Sequence, residues 1–403
     1  MSLPLEGILV LELSHIIAGP FCGAILADYG AECIKVEAPR GGDRGRATVP
    51  FIPGSDRVSS FFYTLGRSRK GITLDLKAPE GKRVFLDLVK RADVVLENFA
   101  PGTMEKLGLG YETLRKANPR IVYAAISGFG QMKGLDGPYS RWPANNAVAQ
   151  AMGGLSELSG EADAPPCFVG AAVGDTVPGL WSALGIVMAI QERQKTGLGQ
   201  FIDVAMYDSL AALCYKSVSD YSTTGVAPSR GGEGWLGTFT TILECGEGYI
   251  AVSLWAGYPQ RWKALWEMAG HPEYFDDPRY DHERPGAREV KPYLKTALEE
   301  WLSDKTAWEA TQILVKLGFS VGPVQTAKEI HDCPQLAARR AFVEIDVAGK
   351  HIKAPGAPVR MSGTESRVHT RGPHLGEHTE EVLESLLGYT ADQVKALREK
   401  GVC

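Results

Sequence analysis

GILVLELSHIIAGPFCGAILADYGAECIKVEA, residues 7–38, decides the fold. Its two ends, GILVLEL (7–13) and ECIKVEA (32–38), are short apolar runs with the length and composition of buried strands. Between them GPFCGAILADYG spaces its apolar residues as a helix does and stops on Gly30, the residue type that closes helices in the left-handed conformation. Strand, helix and strand within about thirty residues form a parallel pair joined by a right-handed crossover.

The alternation continues. RVFLDLVKRA (83–92) is helical, DVVLENF (93–99) a buried strand, YETLRKANP (111–119) helical, and IVYAAISGFG (121–130) a strand running into a glycine-rich turn. The expected class is α/β, a Rossmann-like doubly wound parallel sheet that takes ligands at the carboxyl ends of its strands. Two long helices are expected next, over 176–195 and roughly 203–222. The texture then changes: GVAPSRGGEGWLGTF (225–239) is a glycine-rich loop, and FTTILECGEGYIAVSLW (239–255) a hairpin turning at GEG. Residues 260–320 are tryptophan-rich and helical, with EEWLSDKTAWEATQILVKLG the clearest case. A smaller α+β domain over 225–324 is thus set into a discontinuous large domain, 1–224 and 325–403, which ends in helices at 377–387 and 391–400.

Bulk composition narrows the function. Of 403 residues, 44% are hydrophobic and 23% charged, which suits a globular chain with a large core. A net charge of −5 makes no electrostatic case for nucleic acid or an anionic membrane as partner. No apolar run reaches the roughly 18 residues of a membrane span. MSLPLEGILVLEL lacks the basic and long apolar regions of a signal peptide, so a cytoplasmic protein is expected. Seven scattered cysteines without a C-x-x-C pair, and eight dispersed histidines, suggest neither a disulfide framework nor a metal site.

One carboxylate stands out. In VGAAVGDTVPGLWSALGI (169–186), Asp175 is alone among small, apolar, Gly and Pro residues, and charged side chains are rarely buried without a partner. An Asp ahead of an apolar helix reads first as its N-cap, and a Pro in the first turn suits that. The same position lets a carboxylate project into a cleft while the helix dipole favours its charge.

The landmarks also fall into a recognisable order. LELSHIIAGPFCGAILADYGAECIKVEAP is followed by GITLDLKAPEG, ADVVLENFAPGTMEKLGL, NPRIVYAAISGFGQ, VAQAMGGL, VGAAVGDTVPGLWSALGIVMAIQERQKTGLGQFIDVAMYDS, GPV and LGEHTEEVLESLLGY. Almost end to end, this resembles the class III coenzyme A transferases, the family of formyl-CoA transferase and carnitine CoA-transferase, which also contains α-methylacyl-CoA racemase. The resemblance implies an interlocked-ring homodimer, with coenzyme A on the large domain. It places the nucleophile at Asp175, covered by a glycine loop of the small domain that holds Gly231, Gly232 and Gly234. The partners implied are an acyl-CoA donor and a carboxylic acid acceptor, with no cofactor beyond coenzyme A itself. A carboxylate with its ordinary pKa of about 3.9 is ionised at neutral pH and needs no general base to attack a thioester.

By the same resemblance, Ile16, Ile17 and Ala18 border the pantetheine arm and acyl group, while His15 is structural. Ile17 matches a glutamine of formyl-CoA transferase, which speaks against that enzyme's small polar substrate. Leu74, Lys77, Asn98 and Phe99 match segments that hold the nucleotide end, and Lys106 a position facing phosphates. Arg40, Arg44 and Arg46 are candidates for phosphates or an acidic substrate. Where the racemase has a G-H-D triplet this chain has Ala144, Asn145 and Asn146, none able to take up a proton at neutral pH. PANN is closer to the PAYN of carnitine CoA-transferase, with Asn146 and Gln150 as site contacts. Arg44, Arg46, Arg141 and Arg230 would suit a second carboxylate. A C4–C5 dicarboxylic acid is therefore the expected substrate: succinate, malate, mesaconate, itaconate or citramalate, with transfer within mesaconyl-CoA as a variant. A benzylsuccinate- or carnitine-type acid and a racemase-like reaction are the alternatives.

Overall fold

In the computed structural model, residues 3–161, 164–228, 230, 237–364 and 369–403 are described. Six strands form one parallel sheet: β1 (Leu9–Glu12), β2 (Glu32–Glu37), β3 (Arg69–Thr73), β4 (Val94–Glu97), β5 (Val122–Ser127) and β6 (Phe201–Ala205). Their order is β3-β2-β1-β4-β5-β6, with Val10 opposite Cys33 on one side and Val94 on the other. Alternate side chains feed two cores. Leu9, Leu11, Ile34 and Ile72 pack with Val84, Phe85 and Leu114 on one face. Val10, Cys33 and Val94 pack with Leu26, Ala183 and Ile186 on the other. Burial on both faces is what makes the strands read as unbroken apolar runs. The strand order reverses between β1 and β4, and the loops leaving those two strands frame the crevice where such sheets bind ligands.

Both edge strands depart from expectation. β3 is RKGIT, with two charged residues and only Ile72 to mark it as apolar. β6 falls partly inside the helix expected over 203–222; the chain runs instead as a strand and then two helices, Met206–Leu213 and Tyr215–Thr224. Gly199 explains the difference. A Cβ there would lie 1.9 Å from the Ile121 carbonyl oxygen, so only glycine lets the chain come alongside β5 and continue its ladder.

The helix before β6, Val173–Thr196, has 24 residues and ends on Gly197 at φ +74°. By length and composition it could cross a bilayer, unlike the expectation that no segment would. Its inner residues Ala183, Ile186 and Ala189 are buried in the sheet's core, the setting of a core helix.

The chain divides into two compact units. One holds the residues up to Ser156, Phe168–Lys216 and Gln335–Cys403; the other holds Glu157–Cys167 and Ser217–Pro334, a wider stretch than 225–324. Within the second, the expected hairpin forms from β7 (Thr238–Glu244) and β8 (Tyr249–Trp255), and β9 (Ser320–Pro323) adds a third antiparallel strand. Trp262 and Trp266 are fully buried beside it with Leu294 and Leu298. The helical stretch EEWLSDKTAWEATQILVKLG falls on two helices, Lys291–Leu302 and Ala307–Lys316, because Thr306 caps the second in a reciprocal box with Glu309. In the first unit a hairpin of β10 (Phe342–Val347) and β11 (Lys350–Pro355) precedes the terminal helices Thr379–Leu387 and Ala391–Glu399.

Candidate active site

The Val173–Thr196 helix takes Ala172 as its cap residue, which puts Asp175 in the first turn rather than at the cap. The capping role belongs to another element: Asn146 Oδ1 accepts the Gly174 N–H at 2.9 Å. A Cβ on Gly174 would lie 2.5 Å from the Asn146 carbonyl oxygen, so glycine lets the two backbones meet. Gln150, fully buried, steadies Asn146 by donating from Nε2 to its Oδ1 at 3.0 Å and accepts the Val169 N–H at 2.9 Å. Asn146 and Gln150, expected at the ligand, thus form a strut behind Asp175. Pro178 lies within the helix, beyond the first turn where it was expected.

Gly179 sits one turn after Asp175, on the same helix face. A Cβ there would be 2.6 Å from the Ala18 carbonyl oxygen and 3.2 Å from the Phe21 ring. This contact sets Asp175 beside the segment 14–18 that leaves β1. Gly179→Ala is expected to push this helix away from the helix Ala18–Asp28 that follows β1, costing about 1–3 kcal/mol of stability and lowering turnover with it. A variant with wild-type denaturation and wild-type rate would refute the close approach.

Asp175 is half-buried and its carboxyl bonds to no described residue. Burial alone pushes its pKa from 3.8 up to about 6. Such a group is still about nine-tenths ionised at pH 7. Its raised basicity and lack of hydrogen-bond partners favour nucleophilic attack.

The loops beside it are locked. His15 N–H donates to Asn98 Oδ1 at 2.7 Å and Asn98 Nδ2 donates to the His15 carbonyl at 2.9 Å, which ties the ends of β1 and β4 together. The His15 ring packs against Phe99, centroids 5.4 Å apart. Beneath them is a buried charge cluster. Lys35 Nζ lies 3.0 Å from Glu12 Oε1 and 2.8 Å from Asp43 Oδ2, and Arg69 Nη1 lies 2.9 Å from Glu12 Oε2. Burial pushes the Asp43 carboxyl up, but the Lys35 ammonium and the hydrogen bonds from His15, Lys35 and the Gly45 amide together outweigh it and hold the group far below the usual carboxylate range.

Asp175, Ile16, Ile17, Ala18, Asn98 and Phe99 therefore gather at the reversal point of the sheet. Ile16 is 41% exposed and Ala18 buried. Leu74 and Lys77 follow β3, two strands away, about 10 Å along the sheet edge. Leu74 is 1% exposed with its side chain in the core, and Lys77 is exposed. Lys106, exposed, ends the short helix Thr103–Lys106 after β4. Gly231 and Gly232 lie outside the described residues.

Two of the arginines are committed elsewhere. Arg46 pairs with Glu37 through Nε at 2.8 Å and Nη2 at 2.6 Å and stacks on Phe62. Arg230 pairs with Glu157 at 2.7 Å and donates to the Ala164 carbonyl. Arg40, Arg44 and Arg141 are exposed. Sequence reading passes over two buried acids here. Glu97 accepts the Phe99 N–H at 2.6 Å and Gln131 Nε2 at 2.9 Å, and burial pushes it up to about 7. Asp43 is the other. A charge closing an apolar strand (VVLEN) and an acid after paired glycines (GGD) are the signals that could have found them.

Comparison with known proteins agrees along the chain. The CoA-transferase family III profile matches residues 5–379. A succinyl-CoA:mesaconate CoA-transferase of Haloarcula hispanica is 36% identical over 388 residues, 94% of this chain and 96% of the relative. A succinyl-CoA–D-citramalate CoA-transferase of Chloroflexus aurantiacus is 35% identical over 405 residues, 99% of this chain and 98% of the relative. Among solved structures, a CAIB/BAIF family protein of Brucella suis superposes with a TM-score of 0.86 at 32% identity, covering 96% of this chain and all of that one. The chain belongs to CoA-transferase family III.

Proposed function

We propose that this enzyme moves coenzyme A from an acyl-CoA to a C4–C5 dicarboxylic acid through covalent intermediates on Asp175. The observation that carries the reading is Asp175 itself, a half-buried carboxyl with no bonding partner among the described residues, beside the loop after β1. An Asp kept only for structure would be bonded to an amide or a cation.

In the first step an Asp175 oxygen attacks the thioester carbonyl, the C–S bond breaks, and a mixed anhydride and CoA thiolate result. The thiolate attacks the Asp175 carbonyl carbon and expels the donor acid, leaving an aspartyl-CoA thioester. The acceptor carboxylate attacks that thioester, forming a second anhydride and again freeing the thiolate. Thiolate attack on the acceptor acyl carbon then releases the new acyl-CoA and restores Asp175. No step consumes a redox equivalent or water, and hydrolysis of either anhydride is the competing loss. Each step passes through an oxyanion, for which we propose backbone amides of the Gly231 and Gly232 loop as donors.

The dicarboxylate preference rests on the succinyl, mesaconate and citramalate chemistry named for the relatives, and on Arg44 and Arg141, the exposed arginines left for a second carboxylate. The homodimer rests on Leu180, Trp181, Leu184 and Met188, which leave an apolar stripe exposed along the Val173–Thr196 helix. Incubation with succinyl-CoA and a panel of acids, followed by hydroxylamine trapping and intact-protein mass measurement, tests the reading. The expected result is an Asp175 hydroxamate and transfer to mesaconate or citramalate. Turnover without any adduct overturns it, as does α-proton exchange with deuterated water in the absence of an acceptor.

Protonated Asp175 cannot attack. Because burial raises its pKa to about 6, kcat/KM for succinyl-CoA is expected to fall roughly tenfold per pH unit below that value and to level off above it. A profile flat from about pH 7 down to about pH 5 would mean that the nucleophile is an ordinary exposed carboxylate or another group.

A further inference from the structure

We propose that Asp43 is a positioning residue for coenzyme A binding, its buried carboxylate holding Ile16 in the left-handed backbone conformation that presents the loop after β1 to the ligand. The inference rests on the reading above only in taking that loop as the one that meets coenzyme A.

Ile16 has φ +65°. A β-branched residue seldom adopts that conformation, and it persists only where the surroundings impose it. Here they do. Asp43 Oδ1 accepts the Ile16 N–H at 2.9 Å and the Gly45 N–H at 2.7 Å, while Lys35 Nζ holds Oδ2 at 2.8 Å. Lys35 also donates to the Ser14 carbonyl at 2.8 Å. With Asn98 on both main-chain groups of His15, the backbone from Ser14 to Ile16 is tied inward at four successive groups. Asp43 is 1% exposed, so the charge is buried to make these bonds.

The chain takes trouble to place it there. Gly41 and Gly42 stand at φ +89° and +57°, and a Cβ on Gly42 would lie 2.7 Å from Glu37 Oε1. Two left-handed residues in succession turn the chain back beneath β1 and deliver the carboxylate to the Ile16 amide. A loop with no task beyond folding would carry glycine at 16 and need no such hold. Instead a large apolar side chain is fixed at 41% exposure, beside Asp175, where an apolar pantetheine arm would cover it.

The test is a double-mutant cycle read by calorimetric titration with free CoA and by succinyl-CoA kinetics. Asp43→Ala is expected to weaken CoA binding about tenfold and raise KM for succinyl-CoA in step, with kcat within about threefold of wild type. In an Ile16→Gly background the same change is expected to move affinity by less than about threefold, since glycine adopts positive φ unaided. Asp43→Asn keeps an acceptor oxygen for the Ile16 amide but turns an NH2 toward Lys35, and should impair binding clearly less than Asp43→Ala. If Asp43→Ala does not fold, Lys35→Met/Asp43→Ala removes both charges together and enters the cycle in its place. Equal penalties in the two Ile16 backgrounds, an Asn variant as impaired as the Ala variant, or unaltered CoA affinity each overturn the proposal. Wild-type protein that binds no CoA overturns this proposal and the proposed function together; wild-type binding matched by the variants overturns this one alone.

Discussion

Asp175→Ala is expected to lower CoA transfer by at least about 10⁴-fold while acyl-CoA binding stays near wild type. The size follows from the role. The covalent route splits one exchange between two poor nucleophiles into four attacks, each with a thiolate or carboxylate as leaving group, and removing the aspartyl oxygen removes all four. Among the described residues none substitutes for it: the Asn146 amide is committed to Gly174 and Gln150, and Glu97 is bound by Phe99 and Gln131. The Ala variant should also gain stability at neutral pH, because it no longer holds a half-buried charge without a partner. Steady-state rates with succinyl-CoA and mesaconate, set beside a CoA titration of the same preparation, decide the matter. A variant that keeps a tenth of wild-type turnover with undiminished binding would require a different nucleophile.

Arg69→Met is expected to cost about 3–5 kcal/mol of unfolding free energy, a large share of the roughly 5–15 kcal/mol a domain possesses. Arg69 and Glu12 are both fully buried as side chains, paired at 2.9 Å, and Arg69 also donates from Nη2 to the Pro20 carbonyl. Removing the guanidinium leaves that carbonyl without its donor and tips the cluster of Glu12, Asp43, Lys35 and Arg69 to excess negative charge in a dry interior. The whole pair is worth much less than its half. Glu12→Leu/Arg69→Met deletes both charges and should recover most of the loss, although Lys35 and the Ser14 hydroxyl then lose the Glu12 oxygen. Denaturant titration of the two variants separates the cases. A single variant within about 1 kcal/mol of wild type would show that the cluster is solvated and the pair incidental.

Much of the architecture could be read along the chain. The βαβ alternation over 7–38 predicted β1, the first helix and β2, and Gly30 closes that helix at φ +107°. DVVLENF and IVYAAISGFG are β4 and β5. The unaccompanied carboxylate at 175 could also be picked out, because the absence of local partners is visible in a string of letters. Whether it caps its helix could not, since the group that does so, Asn146, stands 28 residues from the Gly174 amide it accepts.

By itself, the amino-acid order determined which segments are buried, hence the parallel sheet and the isolation of Asp175. Those properties come from apolar periodicity, which is complete within one strand or one helical turn. Tertiary structure alone decided that RKGIT and FIDVA are strands, that Arg46 and Arg230 are spent on Glu37 and Glu157, and that Asp43 reaches the amide of Ile16. The reason is common to all of them. Charge pairing and backbone contact at glycine depend on atoms far apart in the chain, as Arg69 and Glu12 are by 57 residues, and no local pattern records which of many possible partners the fold brings within 3 Å.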